Sequence, residues 1–442
     1  MMISLLGPEL IGHAFSLVTI RTHMPALAMN ETLTIARLGQ RGDGVADTAD
    51  GQVFVPFALP GESVRAVRDG ERAQAIEILT PSASRIAAIC PLFTRCGGCV
   101  AQHMGEGLYA EWKRQQVATA LGRAGIAVAV ELPLDAHGAG RRRVTFHARR
   151  EGDGMRIGFM AARSHDLIAV EACPVLAPGL ARAPAVAQLL ANRLGGSNKP
   201  LDLQITASEA GLDVDIRGHG PAGNALRRTL TEAAERLDLA RLAMHGEIIV
   251  ERRSPFHLMG KATVTPGPGG FLQATARGEE ALAGLVLAAL PKAKRVADLF
   301  AGCGPFSFRL AERCHVTAFE SDKAAVQALL RGAGQAQGLK PITAEARDLF
   351  RRPLLEHELA GFDAVVLDPP RAGAEAQIRR LAASKVASIA YASCDLGSFA
   401  RDAALLLAGG YALERVTPVD QFRYSAHIEL VGVFRKAAGG RR

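Results

Sequence analysis

The chain has 442 residues, 48% of them hydrophobic, with 52 Lys and Arg against 44 Asp and Glu for a net charge of +8. That apolar content excludes a chain disordered throughout, and no apolar run reaches the ~20 residues of a membrane helix. Seven cysteines in a chain of this length argue against a secreted disulfide framework and for metal or catalytic use in a reducing compartment.

Residues 1–28 are apolar and end in Ala26-Leu-Ala28, which superficially resembles a signal-peptide cleavage site. A basic leader is missing, and Arg21 and His23 follow the apolar stretch, an order wrong for export. The expectation is an extended or non-native start, with the fold beginning near Met29. Short strand-like runs at 33–36, 52–56, 63–67 and 72–79 are broken by Gly42-Asp-Gly44 and Leu59-Pro-Gly61. This punctuation predicts a small β-barrel over 29–82. Residues 83–270 read as mixed α+β, with a helix at 109–124, strands at 143–148 and 201–207, and a tight loop at Pro266-Gly-Pro-Gly-Gly270. From 271 to 442 apolar strands (295–300, 315–320, 362–368, 386–392, 411–418, 428–434) alternate with helical segments such as 306–312. That rhythm predicts an α/β domain with a mostly parallel, doubly wound sheet. Basic residues cluster at Arg141–Arg143, Arg149–Arg150, Arg252–Arg253, 292–295 and Arg441–Arg442; they are either solvated faces or contacts for a polyanion.

Cys90-x5-Cys96-Gly-Gly-Cys99, with Cys173-Pro174 far downstream, supplies four thiols. Four cysteines serve a [4Fe–4S] cluster or a tetrahedral zinc. Zinc more often takes two short Cys-x2-Cys knuckles, so three cysteines from one loop plus a distant fourth favour the cluster over zinc, and over no metal at all. Cys303 and Cys314 sit among apolar residues and read as core. Asp298-Leu-Phe-Ala-Gly-Cys-Gly304 is a strand breaking into a glycine turn, and Glu320 ends the next strand. Such a turn lets backbone approach a ligand, and such a carboxylate binds ribose hydroxyls. Gly302 in that turn is a weak signal alone and would also suit a nicotinamide cofactor. Asp348 could face an adenine edge or cap a helix before Leu349.

Val365-Val-Leu-Asp-Pro-Pro-Arg371 and Tyr391-Ala-Ser-Cys-Asp395 follow one strand–helix unit apart. Amine methyltransferases usually follow Asp-Pro-Pro with an aromatic. Here Arg371 follows, and Cys394 arrives one strand later, which argues for attack on a ring carbon. A thiolate adding to carbon 6 of uracil turns carbon 5 into a carbanion that can accept a methyl group. A base must then remove the carbon 5 proton, and Glu429 in His427-Ile-Glu429 suits this. The alternatives are a buried apolar cysteine and an ordinary surface carboxylate.

On these motifs the chain resembles the RNA uridine-5-methyltransferase family from 29 to 434, and within it the iron–sulfur 23S rRNA branch. Gly42-Asp-Gly-Val45 and Val55-Pro-Phe-Ala-Leu-Pro-Gly-Glu62 resemble the RNA-binding TRAM domain, an OB-like barrel. The resemblance implies a Rossmann-like S-adenosylmethionine-dependent domain, a central iron–sulfur domain with ligands Cys90, Cys96, Cys99 and Cys173, nucleophile Cys394 and base Glu429. It implies cofactor contacts at Gln273, Phe300, Glu320 and Asp368, to which the turn at Gly302 and the position of Asp348 add two candidates, an aromatic near the base at Phe271, and helix 109–124 packed on the catalytic domain. It further implies action on RNA, 23S rRNA above all; the expectation is a cytoplasmic protein with no membrane partner, acting as a monomer. The tRNA branch generally lacks the cysteines. Ser393-Cys-Asp-Leu396 departs from the usual Ser-Cys-Asn/Asp-Pro, Pro305 replaces a polar residue, and Gln421-Phe-Arg-Tyr-Ser425 lacks the common proline. None of these removes a reacting group. The rivals are the same reaction on tRNA, a nonenzymatic RNA-binding protein of this fold, and a cytosine-5-methyltransferase.

Overall fold

The computed structural model describes residues 30–194 and 200–437. The expected extension at 1–28 and the Arg441–Arg442 pair lie outside the described residues. Among those described, no helix is long and apolar enough to cross a membrane.

The N-terminal unit is a six-stranded sheet. Its order is Asn30–Thr34, Ser63–Asp69, Arg72–Thr80, Gly51–Val55, Gly44–Thr48 and Arg37–Leu38. The two outermost strands are neighbours in the chain, which requires the sheet to curl. Leu33, Ile35, Val53, Val55, Val64 and Ala66 fill its concave side. The first strand lies earlier than the expected 33–36, and Gly44, read as a break, opens a strand. Glycine disfavours strands on average, so its role there is invisible to propensity.

The central unit is a seven-stranded sheet ordered Leu167–Ala169, Gly154–Met160, Arg143–Glu151, Leu201–Ser208, Gly211–Arg217, Arg241–Met244 and Glu247–Glu251. Helices Ala183–Arg193 and Asn224–Arg236 bury Val186, Leu190 and Leu230 in one core with Phe146, Leu203, Ile205, Val214 and Leu242.

The third sheet carries the site. Its eight strands in chain order are β1 (Leu134–Asp135), β2 (Arg295–Leu299), β3 (His315–Glu320), β4 (Ile342–Ala346), β5 (Ala364–Leu367), β6 (Ser388–Ser393), β7 (Tyr411–Asp420) and β8 (Glu429–Lys436). Across the sheet they run β4-β3-β2-β5-β6-β8-β7-β1. β2 to β6 are parallel, as expected. β8 is antiparallel to both β6 and β7, so the sheet is mixed. The turn between β7 and β8 is too short for a crossover and compels an antiparallel hairpin. Apolar clusters cover both faces, one around Leu299, Val365, Ile389 and Phe399, the other around Val296, Phe306, Val366 and Val431.

Two pieces of the central stretch are woven into this sheet. β1 pairs with the end of β7 through Leu134 and Asp135. Helix Glu106–Arg123 packs Val117 and Leu121 into the cluster that holds Phe399 and Ala403. This is the helix whose packing on the catalytic sheet the family resemblance implied.

A buried ion pair also crosses between units. Arg142 donates to Glu279 at 2.6 Å and to the Gln273 carbonyl at 3.0 Å, and Arg309 meets the other Glu279 oxygen at 3.0 Å. Removing one partner of a buried pair strands charge in a medium of low polarity. Arg142→Ala is therefore expected to lower unfolding stability by about 3 kcal/mol, read by denaturant titration. A loss below about 0.5 kcal/mol, typical of surface positions, would contradict a structural role.

Candidate active site

Ligands of open α/β sheets bind at the carboxyl ends of the parallel strands, and here the chemically interesting residues gather along that edge. Gln273 donates to Asp368 at 3.0 Å, just beyond β5. Gln421, just after β7, donates to the Gln273 side-chain oxygen at 2.7 Å. Cys394 directly follows β6, and Glu429 opens β8. The β6–β8 ladder ends at Ser393↔Leu430, so Cys394 and Glu429 are the first residues beyond that end, close enough for the Glu429 carboxylate to act on the thiol. Asp395 accepts from the Ser398 N–H at 2.8 Å and caps helix Leu396–Ala408, which fixes where the strand ends and leaves Cys394 in the turn.

The electrostatics follow from crowding carboxyls in a dry site. Burial pushes the Glu429 carboxyl up to about 7 against a hydrogen bond from Gln421 that lowers it. Burial also raises Asp368 well above its ordinary range, helped by Glu429 and Asp298. The Cys394 thiol is pushed up to about 11 by burial and by the carboxylates of Glu429 and Asp368, while Arg371 opposes the rise.

A second group lies along β2 and β3. Glu320 accepts from the Gly302 N–H at 3.0 Å, the Asp322 N–H at 2.8 Å and the Ser321 hydroxyl at 3.0 Å. Phe300 has a left-handed backbone (φ 61°) and sets its ring 5.5 Å from Phe350. Gly302 and Gly304 both have positive φ, but for different ends. A Cβ on Gly304 would meet Phe308 and Leu329 at 2.8–3.0 Å, so packing demands glycine there. A Cβ on Gly302 would meet nothing within 4 Å, so that turn borders open space beside Glu320. Asp298, fully buried, accepts from Ser307 at 2.6 Å while its other oxygen has no partner. Burial holds its carboxyl up at about 7.

A cavity of about 1790 Å3 runs from Ile76 on the N-terminal sheet past Cys96, Arg141 and Phe271 to Gln273 and Glu429. Cys90, Cys99 and Cys173 line it too, and all four cysteines are free. Burial raises the Cys99 and Cys173 thiols, Cys173 to about 11, and each is raised further by neighbouring cysteines. Gly98 N–H donates to the Cys96 sulfur at 3.4 Å. Even so, among the described residues no three of His, Cys, Asp and Glu are grouped to hold a metal ion.

The tRNA (uracil-5-)-methyltransferase model matches residues 268–438. An uncharacterised RNA methyltransferase of Brucella suis is 47% identical over 91% of this chain and 97% of its own length. An uncharacterised RNA methyltransferase of Caulobacter vibrioides is 46% identical over 92% of this chain and all of its own. The 23S rRNA (uracil(1939)-C(5))-methyltransferase of Chromohalobacter salexigens is 34% identical over 91% and 88%. The chain belongs to the RNA (uracil-5-)-methyltransferase family. Among solved structures, the tRNA (uracil-54, C5)-methyltransferase of Pyrococcus abyssi superposes with a TM-score of 0.69 at 21% identity, covering 92% of this chain and all of that one. That likeness shows a shared fold.

Within this methyltransferase framework, Cys394, Glu429, Asp368 and Gln273 form one group, and Phe300, Gly302 and Glu320 another. Asp348 stands apart. One of its oxygens accepts from the Phe350 and Arg351 N–H groups at 2.9 and 3.2 Å, so it caps a turn, close to the capping alternative but with no helix following. Sequence reasoning missed Gln421 as a functional residue; its place next to the β7 end was the available signal. It also read Arg141–Arg143 as one basic cluster. Instead Arg142 is buried on Glu279, Arg143 donates to the Leu272 carbonyl at 3.2 Å, and Arg141 lies 5.6 Å over the Phe422 ring.

The raised Glu429 carboxyl predicts a pH-dependent cost. With an ordinary value of 4.5 and a folded value of about 7, its favourable contribution is complete below about pH 4.5 and lost as pH rises through 7. Glu429→Gln is expected to be more stable than wild type by roughly 2–3 kcal/mol at pH 8 and little changed at pH 4.5. Equal melting temperatures at pH 8 would show that the carboxylate is not desolvated.

Proposed function

We propose that this protein methylates carbon 5 of uridine in RNA, 23S rRNA in particular, using S-adenosylmethionine. The observation that carries the reading is that the β6–β8 ladder ends at Ser393↔Leu430, one residue short of both Cys394 and Glu429, with Asp368 and Gln273 joined beside that end.

In this mechanism the Cys394 thiolate adds to carbon 6, and the ring electrons move towards carbon 5 and the carbon 4 oxygen. S-adenosylmethionine, when bound, supplies the methyl group. Glu429 then accepts the proton from carbon 5, the carbon 5–carbon 6 double bond re-forms, and the Cys394 sulfur leaves with its electron pair. A carboxyl with a folded value near 7 suits proton removal at neutral pH. Arg371 opposes the carboxylates that disfavour the thiolate.

The residues suit the cofactor. Glu320, beside the open Gly302 turn, would hold ribose hydroxyls, Phe300 would pack on the adenosine, and Gln273 and Asp368 would face the methyl-bearing end. Glu429 and Asp298 raise the cost of ionising Asp368, an electronegative pocket that favours a cationic sulfonium. Asp348 would line the adenine side through its backbone turn. The target base is stacked in folded RNA and must be flipped to meet both groups. The cavity exceeds the about 300–1,000 Å3 of ordinary small-molecule sites, which supports a polymeric substrate, and the curled N-terminal sheet, read as a TRAM-like barrel, would hold RNA along it.

Cys90, Cys96, Cys99 and Cys173 all line the cavity, and such a set would hold a [4Fe–4S] cluster. Protein purified without oxygen is expected to hold about four irons and four acid-labile sulfides per chain. Metal-free protein would remove this part of the reading and leave the methylation chemistry intact.

The 23S assignment rests on the Chromohalobacter relative and on the cysteine set. Nucleoside mass spectrometry of 23S rRNA and tRNA from cells with and without the gene tests it. Loss of 5-methyluridine from 23S rRNA alone is the expected result; loss from tRNA alone would transfer the reaction to the other substrate. Cys394→Ala is expected to abolish methylation while RNA affinity stays within about twofold, and near-wild-type turnover would refute the nucleophile.

A further inference from the structure

The turn between β7 and β8 carries Gln421 and leads into Glu429, yet it is held from outside the sheet. Its backbone is awkward on its own: Tyr424 has φ 66°, a left-handed conformation uncommon for a bulky residue. Helix Glu106–Arg123 grips both ends of the turn. Lys113, fully buried, pairs with Asp420 at 3.1 Å and donates to the His427 carbonyl. Tyr109 donates to the second Asp420 oxygen at 2.5 Å and accepts from the Tyr424 N–H at 3.0 Å. From the other side, the Val100 and Ala101 N–H groups, directly after Cys99, donate to the Tyr424 carbonyl at 2.7 and 3.2 Å.

We propose that Tyr109 and Lys113 are positioning residues that set Glu429 against Cys394 by fixing the turn from Asp420 to His427, and that the same turn ties the cysteine loop to the proton-removal step. The inference rests on the function proposed above. Neither side chain reaches the reacting atoms. Each holds a turn that also supplies Gln421, the hydrogen-bond partner of Glu429. Strained backbone persists only where its surroundings over-determine it, and here the helix and the loop after Cys99 converge on Tyr424.

The consequence is step-specific. Thiolate addition and methylation need Cys394, whereas release needs Glu429 in register. Loosening the turn therefore leaves the RNA covalently attached to Cys394 through carbon 6, methylated at carbon 5 and still bearing the proton that Glu429 should take.

The test uses full-length protein, uridine-containing substrate RNA and S-adenosylmethionine, and follows both product release and denaturant-resistant protein–RNA adduct. The variants are Tyr109→Phe, which removes one oxygen, and the Lys113→Met, Asp420→Asn pair, which buries no lone charge. Glu429→Gln runs beside them. Expected for both is slowed release, about 10- to 100-fold, with adduct accumulating and RNA affinity unchanged. Wild-type release without adduct would overturn the proposal. So would loss of adduct and release together, or failure of both variants to fold, because the contacts would then be merely structural. If Glu429→Gln itself accumulates no adduct, the assignment of the base fails instead, and the two failures are told apart.

Discussion

The site depends on one constraint, the insertion of β8 between β6 and β7. A purely parallel sheet presents only strand ends along its binding edge. An antiparallel strand presents a strand start there, so Glu429 arrives already paired with Val419 of β7, one residue before the ladder with β6 begins at Leu430. A one-residue slip would turn Glu429 and every β8 side chain to the opposite face. That slip is blocked by packing: Phe434 and Leu430 sit in one apolar cluster with Phe399, and Val431 and Val433 in the other. Core burial on both faces thus fixes where Glu429 stands relative to the end of β6.

The same edge concentrates carboxyls at a cost. Asp298, Asp368 and Glu429 are each held above their ordinary range by burial, and an unpartnered Asp298 oxygen compounds it. Such an arrangement is retained where charge must change during the reaction, and perturbed carboxyls cluster at functional sites for that reason. The glutamine pair Gln273 and Gln421 mediates between them. An amide offers donor and acceptor together, so the chain of hydrogen bonds runs from Asp368 to Thr275 without adding charge.

Much of this was legible in the sequence because it is local. Asp298 to Gly304, Asp368-Pro-Pro and Cys394 each combine a strand with the turn that ends it, and the apolar runs of β2, β3, β5 and β6 reveal buried parallel strands. Strand direction is not local. The run at 428–434 reads the same in either sense, so the reversal at β8 appears only with the hairpin. Two-residue β1 carries no periodicity at all. Arg142 and Lys113 look like surface charges in a basic chain, and only the fold reveals that each is buried on a carboxylate. Asp348 shows the limit from the other side: its capping role is local and readable, while its link to the Phe300 turn comes through the Phe350 ring, tilted against that of Phe300 at 5.5 Å.

The interleaving has a final consequence for how the units depend on one another. The family model spans 268–438, the same stretch that alternation marks as a separate α/β unit. In three dimensions that stretch is incomplete. Without helix Glu106–Arg123, the surface of Phe399, Ala400 and Ala403 that now receives Val117 and Leu121 would face water, and Asp420 would lose both partners. Without Arg142 and Arg143, the carbonyls of Leu272 and Gln273 would lose the guanidinium groups that orient the Gln273 side chain towards Asp368. The cysteine loop leads directly into helix Glu106–Arg123, and that helix and the Arg142–Arg143 stretch together hold this edge of the sheet. A disturbance of that loop reaches the turn between β7 and β8 directly, through the hydrogen bonds of Val100 and Ala101 to the Tyr424 carbonyl.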